Sequence, residues 1–171
     1  MRTYIITGMG RSGTSFLAES LKKNGVNIGD KFYMGENPHH GYENQELVDI
    51  TKNILVKSGQ GWGIHCNPEK KQNLNIAYKV NKPKIKKFID KNKKESWGIK
   101  EPRLSLMLDN FLEDIKDIDD DPFIYVAFRK PKYIAKSLKK LRGKLKKEDL
   151  IEVAKEYNRR LIKSLETFLE L

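Results

Sequence analysis

The chain has 171 residues, enough for one domain of ordinary size with a core of its own. Hydrophobic residues make up 38% and charged residues 33%, a globular balance, and no stretch approaches the roughly 18 uninterrupted apolar residues of a membrane span. The 34 Lys and Arg against 23 Asp and Glu leave +11, which suits an anionic partner (a nucleotide, an anionic glycan or nucleic acid) or simply a solvated lysine-rich surface.

The start, MRTYIITGMGRSGTS, turns glycine-rich too soon for a signal-peptide core. Cys66 is the only cysteine, so neither a disulfide framework nor a thiolate metal cluster is expected. These features predict a cytoplasmic protein. There is no internal repeat or linker, so residues 1–171 read as a single domain.

In chain order, Tyr4–Thr7 is a short β-forming apolar run that stops at glycine, a buried strand. Thr14–Asn24 places Phe16, Leu17, Ala18 and Leu21 on one helical face, and Gly25 supplies a left-handed cap. A polar loop over 30–42 precedes a helix predicted over Glu43–Lys57. Lys82–Lys94 reads as a basic amphipathic helix with Ile85, Phe88 and Ile89 inward. Trp97–Lys100 is a second short strand, followed by a helix over Leu104–Ile115 and an acidic turn over Asp117–Pro122. Phe123–Phe128 is the strongest strand, apolar throughout, as expected of a parallel strand covered on both faces. Pro131 opens a helix running to Arg142, and a last helix spans most of Lys147–Glu170. Lysines cluster over Lys79–Lys94 and Lys130–Lys147.

Strands alternating with helices predict an α/β fold: a three-layer α/β/α arrangement around a central parallel sheet, P-loop nucleotide-kinase-like, with ligands at the carboxyl ends of the strands.

The segment Gly8-Met9-Gly10-Arg11-Ser12-Gly13-Thr14-Ser15 follows a strand and opens a helix. Glycines there allow a tight turn whose N–H groups, with the helix dipole behind them, face an anion. The spacing matches the phosphate loop G-x-x-x-x-G-K-[ST], except that Thr14 stands where the lysine belongs. Arg11 is the only cation inside the loop. The third strand ends in Arg129 rather than an aspartate that would hold Mg²⁺. A nucleoside or nucleotide kinase, the main alternative, would need both parts, and this chain has neither. A non-catalytic nucleic-acid-binding protein is the other alternative, but no stacking pattern or nucleic-acid module accompanies the charge.

Four segments in order resemble the PAPS-dependent sulfotransferases, whose donor is 3′-phosphoadenosine 5′-phosphosulfate. Arg11-Ser12-Gly13-Thr14-Ser15 looks like their 5′-phosphosulfate loop. Asn37-Pro38-His39-His40-Gly41-Tyr42-Glu43-Asn44 is similar to an N-P-x-G-[YF]-x-E loop, with Glu43 one position early. Trp97-Gly98-Ile99-Lys100-Glu101-Pro102-Arg103 looks like the W-G-x-K-[DE]-P-R segment of bacterial members. Phe128-Arg129-Lys130-Pro131, with Ile134, Ser137 and Leu138, resembles the 3′-phosphate motif.

The resemblance implies sulfuryl transfer to a hydroxyl or amine, with Gly10, Arg11, Ser12, Gly13, Thr14, Ser15, Arg129 and Ser137 binding PAPS or its product 3′-phosphoadenosine 5′-phosphate. The residues also have plainer readings: Ser137 could bond its own helix, Arg129 could pair with the Asp119–Asp121 turn, and Lys100 could be an ordinary exposed lysine. Arg11 and Lys100, at two strand ends facing one crevice, are the candidate catalytic cations. Glu43 is the preferred base for the acceptor proton, although a carboxylate at a helix start is equally a cap. Glu36 is the runner-up, and His39, His40 and Glu46 lie in the same region. His65 reads as substrate-side or structural. The histidines lack metal-ligand spacing, so no metal is expected. The acceptor reads as a glycan or small hydroxylated metabolite. Many family members continue beyond the last helix, so this chain is expected to be a minimal enzyme, a fragment, or one that needs a homo-oligomer or partner subunit to complete the acceptor site.

Overall fold

Three parallel strands form the sheet among the described residues, which in this computed structural model are 1–30, 32–33, 41–60, 71–141 and 146–169. β1 (Arg2–Thr7) is central, with β2 (Ser96–Lys100) on one side and β3 (Phe123–Val126) on the other. Ile6 is level with both Lys100 and Tyr125, so the three strands end together. Everything that follows a strand therefore leaves from one edge of the sheet.

Successive side chains of β1 point to opposite faces, and each face has its own core. Ile5 belongs to the larger one, with Leu47, Phe88, Phe111, Ile134 and Leu161. These come in turn from α2 (Gln45–Lys57), α3 (Lys71–Asn92), α4 (Leu108–Lys116), α5 (Pro131–Leu141) and α6 (Lys147–Leu169). Ile6 lies in the smaller core with Val26, Ile28 and Ala18 of α1 (Thr14–Lys23). The result is an α/β fold with helices on both faces, as parallel crossovers require. No helix among the described residues is long and apolar enough to cross a membrane.

α1 ends as the sequence predicts. Gly25 has φ 87° and donates to the Lys22 carbonyl at 3.1 Å, while Val26 donates to that of Leu21 at 3.1 Å, the paired bonds of a Schellman cap. Its inner face differs from the expectation, because Phe16 is 74% exposed. Thr14 and Ala18 are buried, and Phe16 lies about 200° around the helix from each.

α2 starts at Gln45, two residues late, because the Asn44 side chain is the cap and accepts from the Glu46 amide at 2.9 Å. α3 begins well before the predicted Lys82 and runs through Pro83. Proline at that point reads as a helix start, but the buried positions Leu74, Ala77, Tyr78, Ile85, Phe88 and Ile89 keep helical spacing on both sides of it.

The predicted helix over Leu104–Ile115 is two pieces, a 3-10 turn over Pro102–Leu106 and then α4, separated at Met107 with φ −142°. The acidic turn anchors the sheet: Asp119 accepts from the Thr3 amide at 2.6 Å.

β3 is not fully covered on both faces as its composition suggested. Among the described residues it pairs only with β1, and Phe123 remains half exposed, stacked on Tyr4 with ring centroids 5.3 Å apart. The strand also ends at Val126, leaving Phe128 exposed beyond it. An apolar run reports burial by side chains and says nothing of whether a further strand lies alongside.

Candidate functional site

The loop after β1 is held in an uncommon backbone form. Gly8, Arg11 and Gly13 all have positive φ, at 127°, 74° and 111°. At Gly8 a close approach adds to this: a Cβ there would lie 2.4 Å from the Ala127 carbonyl oxygen. The Gly8 amide donates to the Ser105 hydroxyl at 3.0 Å, and that hydroxyl also bonds Thr7 Oγ1 at 2.9 Å. Ser12 turns back into the loop, its amide and hydroxyl both donating to the Met9 carbonyl, at 3.1 and 2.5 Å. Thr14 is buried at the start of α1, whose N-terminus has no side-chain cap from Gly13. Unbonded N–H groups at a helix start carry partial positive charge. Nothing lies within 4 Å of a Cβ placed on Gly10 or Gly13, so there is room above the loop at both.

Three of the residues singled out in the sequence meet on the β3 side. Arg11 Nε donates to Ser137 Oγ at 3.0 Å, and Arg129 Nη1 donates to the Arg11 carbonyl at 3.0 Å. Left-handed backbone in a non-glycine residue costs on the order of 1–3 kcal/mol; at Arg11 it is accompanied by bonds from both ends of the residue, to Arg129 after β3 and to Ser137 of α5. Ser137 is half-buried one turn from the buried Ile134, and its partner is Arg11. The Arg129 guanidinium also sits 5.9 Å from the Tyr133 ring, while the Asp119 carboxylate serves Thr3 and Asp121 amides.

Lys100, at the end of β2, is 3% exposed and not the surface lysine it could have been. Its ammonium bonds the Glu43 carboxylate and donates to the Gly41 carbonyl at 2.7 Å. Burial pulls the Lys100 pKa below its ordinary value, and the Glu43 carboxylate offsets only part of that. Glu43 is therefore no helix cap, since Asn44 takes that place.

Arg11 bonds to Ser137 of α5 and to Arg129 after β3, whereas Lys100 bonds to Gly41 and Glu43. Glu46 is away from both, paired with Lys91 at 2.7 Å on the surface. Glu36, Asn37, Pro38, His39, His40, His65 and Cys66 lie outside the described residues. Among those described, no group of three or more His, Cys, Asp or Glu could hold a metal ion.

Sequence reasoning missed two features. Ser105, which anchors the loop, carries no spacing signal. Glu101 and Arg103 form a buried pair at 2.6 Å, with Glu101 Oε1 also accepting the Arg103 amide at 2.9 Å. The Glu101 amide bonds the Ile6 carbonyl at 3.1 Å, so this turn continues the β1–β2 pairing past Lys100. The charged letters of that segment read as surface or site, not as the core in which they lie.

No family model, curated protein or solved structure matches the chain.

Proposed function

We propose that the chain is a sulfotransferase of P-loop nucleotide-kinase-like architecture that transfers the sulfuryl group of PAPS to a hydroxyl or amine of an acceptor, a glycan or small hydroxylated metabolite. The observation that carries this reading is the grouping of Arg11, Arg129 and Ser137 beside a left-handed loop that lacks the kinase lysine. Two guanidinium groups and a hydroxyl match a phosphate dianion, for which planar forked donors are well suited. The open space above Gly10 and Gly13, at an uncapped helix N-terminus, fits a second anionic group.

In this reading PAPS supplies an activated sulfuryl group when bound. Gly10, Ser12, Gly13, Thr14 and Ser15 cradle its 5′ side, and Arg129 with Ser137 grips the 3′-phosphate. Arg11, between the two, orients the nucleotide. Lys100 offers a cation in a place with little water, where fixed charge acts strongly on negative charge developing during transfer. Glu43, in contact with Lys100, takes the proton that the acceptor loses.

Calorimetric titration with 3′-phosphoadenosine 5′-phosphate tests the reading. Binding is expected, with Arg129→Ala weakening it roughly 10- to 100-fold and ATP with Mg²⁺ binding less tightly. A preference for ATP with Mg²⁺, or no binding of the bisphosphate, would move the kinase reading ahead.

A further inference from the structure

The two outer edges of the sheet differ. Along β2 the chain itself covers the edge: Asn27 donates to the Ser96 carbonyl at 3.2 Å and accepts from the Gly98 amide at 2.9 Å. β3 has no such cover among the described residues. The Ala127 amide donates to the Thr7 carbonyl at 2.9 Å, so by strand alternation the peptide groups of Tyr125 also turn toward β1. Those of Ile124 and Val126 turn outward, and no described residue meets them. An open row of amides and carbonyls is a template for a further strand. Residues 123–128 contain no charged residue and no proline that would turn one away.

The ends of this edge carry opposite charge. Before β3, Asp117 is paired with Lys86 at 2.8 Å, and Asp119 accepts from the Thr3 and Asp121 amides. Asp120 and Asp121 are exposed and pair with no cation among the described residues. Arg2 is engaged over the Phe123 ring, 5.8 Å from its centroid. After β3, Arg129, Lys130 and Lys132 are exposed and pair with no carboxylate among the described residues. A strand that is acidic at its start, apolar in its middle and basic at its end is complementary to its own reversed copy.

We propose that the outer edge of β3 is a dimer interface, at which a second copy of this chain adds its β3 antiparallel and joins the two sheets into one. With Tyr125 on the two-fold axis, Ile124 of each copy faces Val126 of the other, and their outward amides and carbonyls pair. The same register sets Asp120 opposite Lys130 and Asp121 opposite Arg129, twice over by symmetry. Tyr125 lies level with Ile6, on the face where Tyr4 and Phe123 stack. Opposed across the axis, the two Tyr125 rings meet at the close, non-hydrogen-bonded position, and Phe123, 45% exposed in one copy, gains a neighbour. A parallel addition would instead set acid against acid and base against base, which is unfavourable. The interface is small, so monomer and dimer are expected to exchange as concentration changes. The inference does not depend on the sulfotransferase reading.

Sedimentation velocity of the whole protein at increasing concentration tests it, beside Asp120→Lys, Lys130→Asp and an equimolar mixture of these two variants. The parent is expected to pass from monomer to dimer. Each single swap places like charges opposite one another on both sides of the axis. It is expected to raise the dimer Kd roughly tenfold, because an exposed pair contributes modestly and symmetry counts it twice. In the mixture the new lysine meets the new aspartate, and the untouched Lys130 and Asp120 meet each other, so a mixed dimer regains the Kd of the parent. Misfolding of either variant would not produce that recovery. A parent that stays monomeric overturns the assignment and leaves the edge to a different partner. A dimer indifferent to both swaps, or a mixture no tighter than its components, overturns it as well.

Discussion

The Gly8 amide donates to the hydroxyl of Ser105, 97 residues further on, at 3.0 Å, so the first residue of the glycine-rich loop after β1 is tied to the turn that follows β2. Ser105 is fully buried, and no water can replace its oxygen without a rearrangement. Ser105→Ala leaves the Gly8 amide without its partner, at about 1–3 kcal/mol. Denaturant unfolding is expected to show that loss, together with weaker binding of 3′-phosphoadenosine 5′-phosphate. Unchanged affinity in a folded variant would mean that Ser105 supports the fold and not the loop.

Gly8 and Gly13 differ in a way that substitution can read. Both have positive φ, but a Cβ at Gly8 meets the Ala127 carbonyl, whereas at Gly13 it meets open space. Gly13→Ala carries only the backbone strain, about 1–3 kcal/mol. Gly8→Ala adds a clash between two stretches of backbone, so its unfolding midpoint in urea is expected to fall further. Equal midpoints would contradict the close approach of the loop to the residue after β3.

Ser137→Ala and Arg129→Ala both act on Arg11, one at its side chain and the other at its carbonyl. Groups that share a partner are not additive. In a double-mutant cycle on bisphosphate binding, the double variant is expected to lose less than the two single losses combined, with Arg129→Ala the larger single effect. Strict additivity would show that the two residues hold separate parts of the ligand.

In the proposed reaction, Lys100 is expected to set the alkaline limit of transfer. Its folded-state pKa lies below the ordinary 10.5 because of burial, so it loses its proton before the surface lysines do. Transfer is expected to fall on the alkaline side with a midpoint below 10.5, and Lys100→Arg is expected to abolish that limb. Stability moves the other way: between the folded and unfolded pKa values the unfolded chain binds more protons, so the Lys100 contribution to stability rises with pH. A rate profile unchanged by Lys100→Arg would remove Lys100 from the chemistry.

Tyr78 has the opposite sign. Burial, and then the Asp114 carboxylate that its hydroxyl donates to at 2.8 Å, push its pKa well above 10. Above about pH 10 the unfolded chain releases this proton and the folded one keeps it, so stability is lost as pH rises. Tyr78→Phe is expected to cost about 1–3 kcal/mol at neutral pH, through the lost partner of buried Asp114, and to flatten the alkaline decline. Melting curves across the alkaline range decide it.

Local sequence was sufficient wherever a single feature acts over a few residues. The strand–glycine loop–helix start, the Gly25 cap and the inward face of Ile85, Phe88 and Ile89 were all legible, because backbone freedom at glycine and helical spacing are local properties. The parallel sheet followed from the alternation of strands and helices. The tertiary structure alone decided which polar residues meet. Arg11 lies 126 residues from Ser137, Lys100 lies 57 from Glu43 and Gly8 lies 97 from Ser105, and no pattern in the chain encodes such pairs. It also decided that, among the described residues, β3 has β1 as its one strand neighbour and Phe123 half exposed, and that Glu101 and Arg103 lie in the interior as a pair. A charged residue is cheap to bury only when its partner is already there, and the sheet order determines which partner that is.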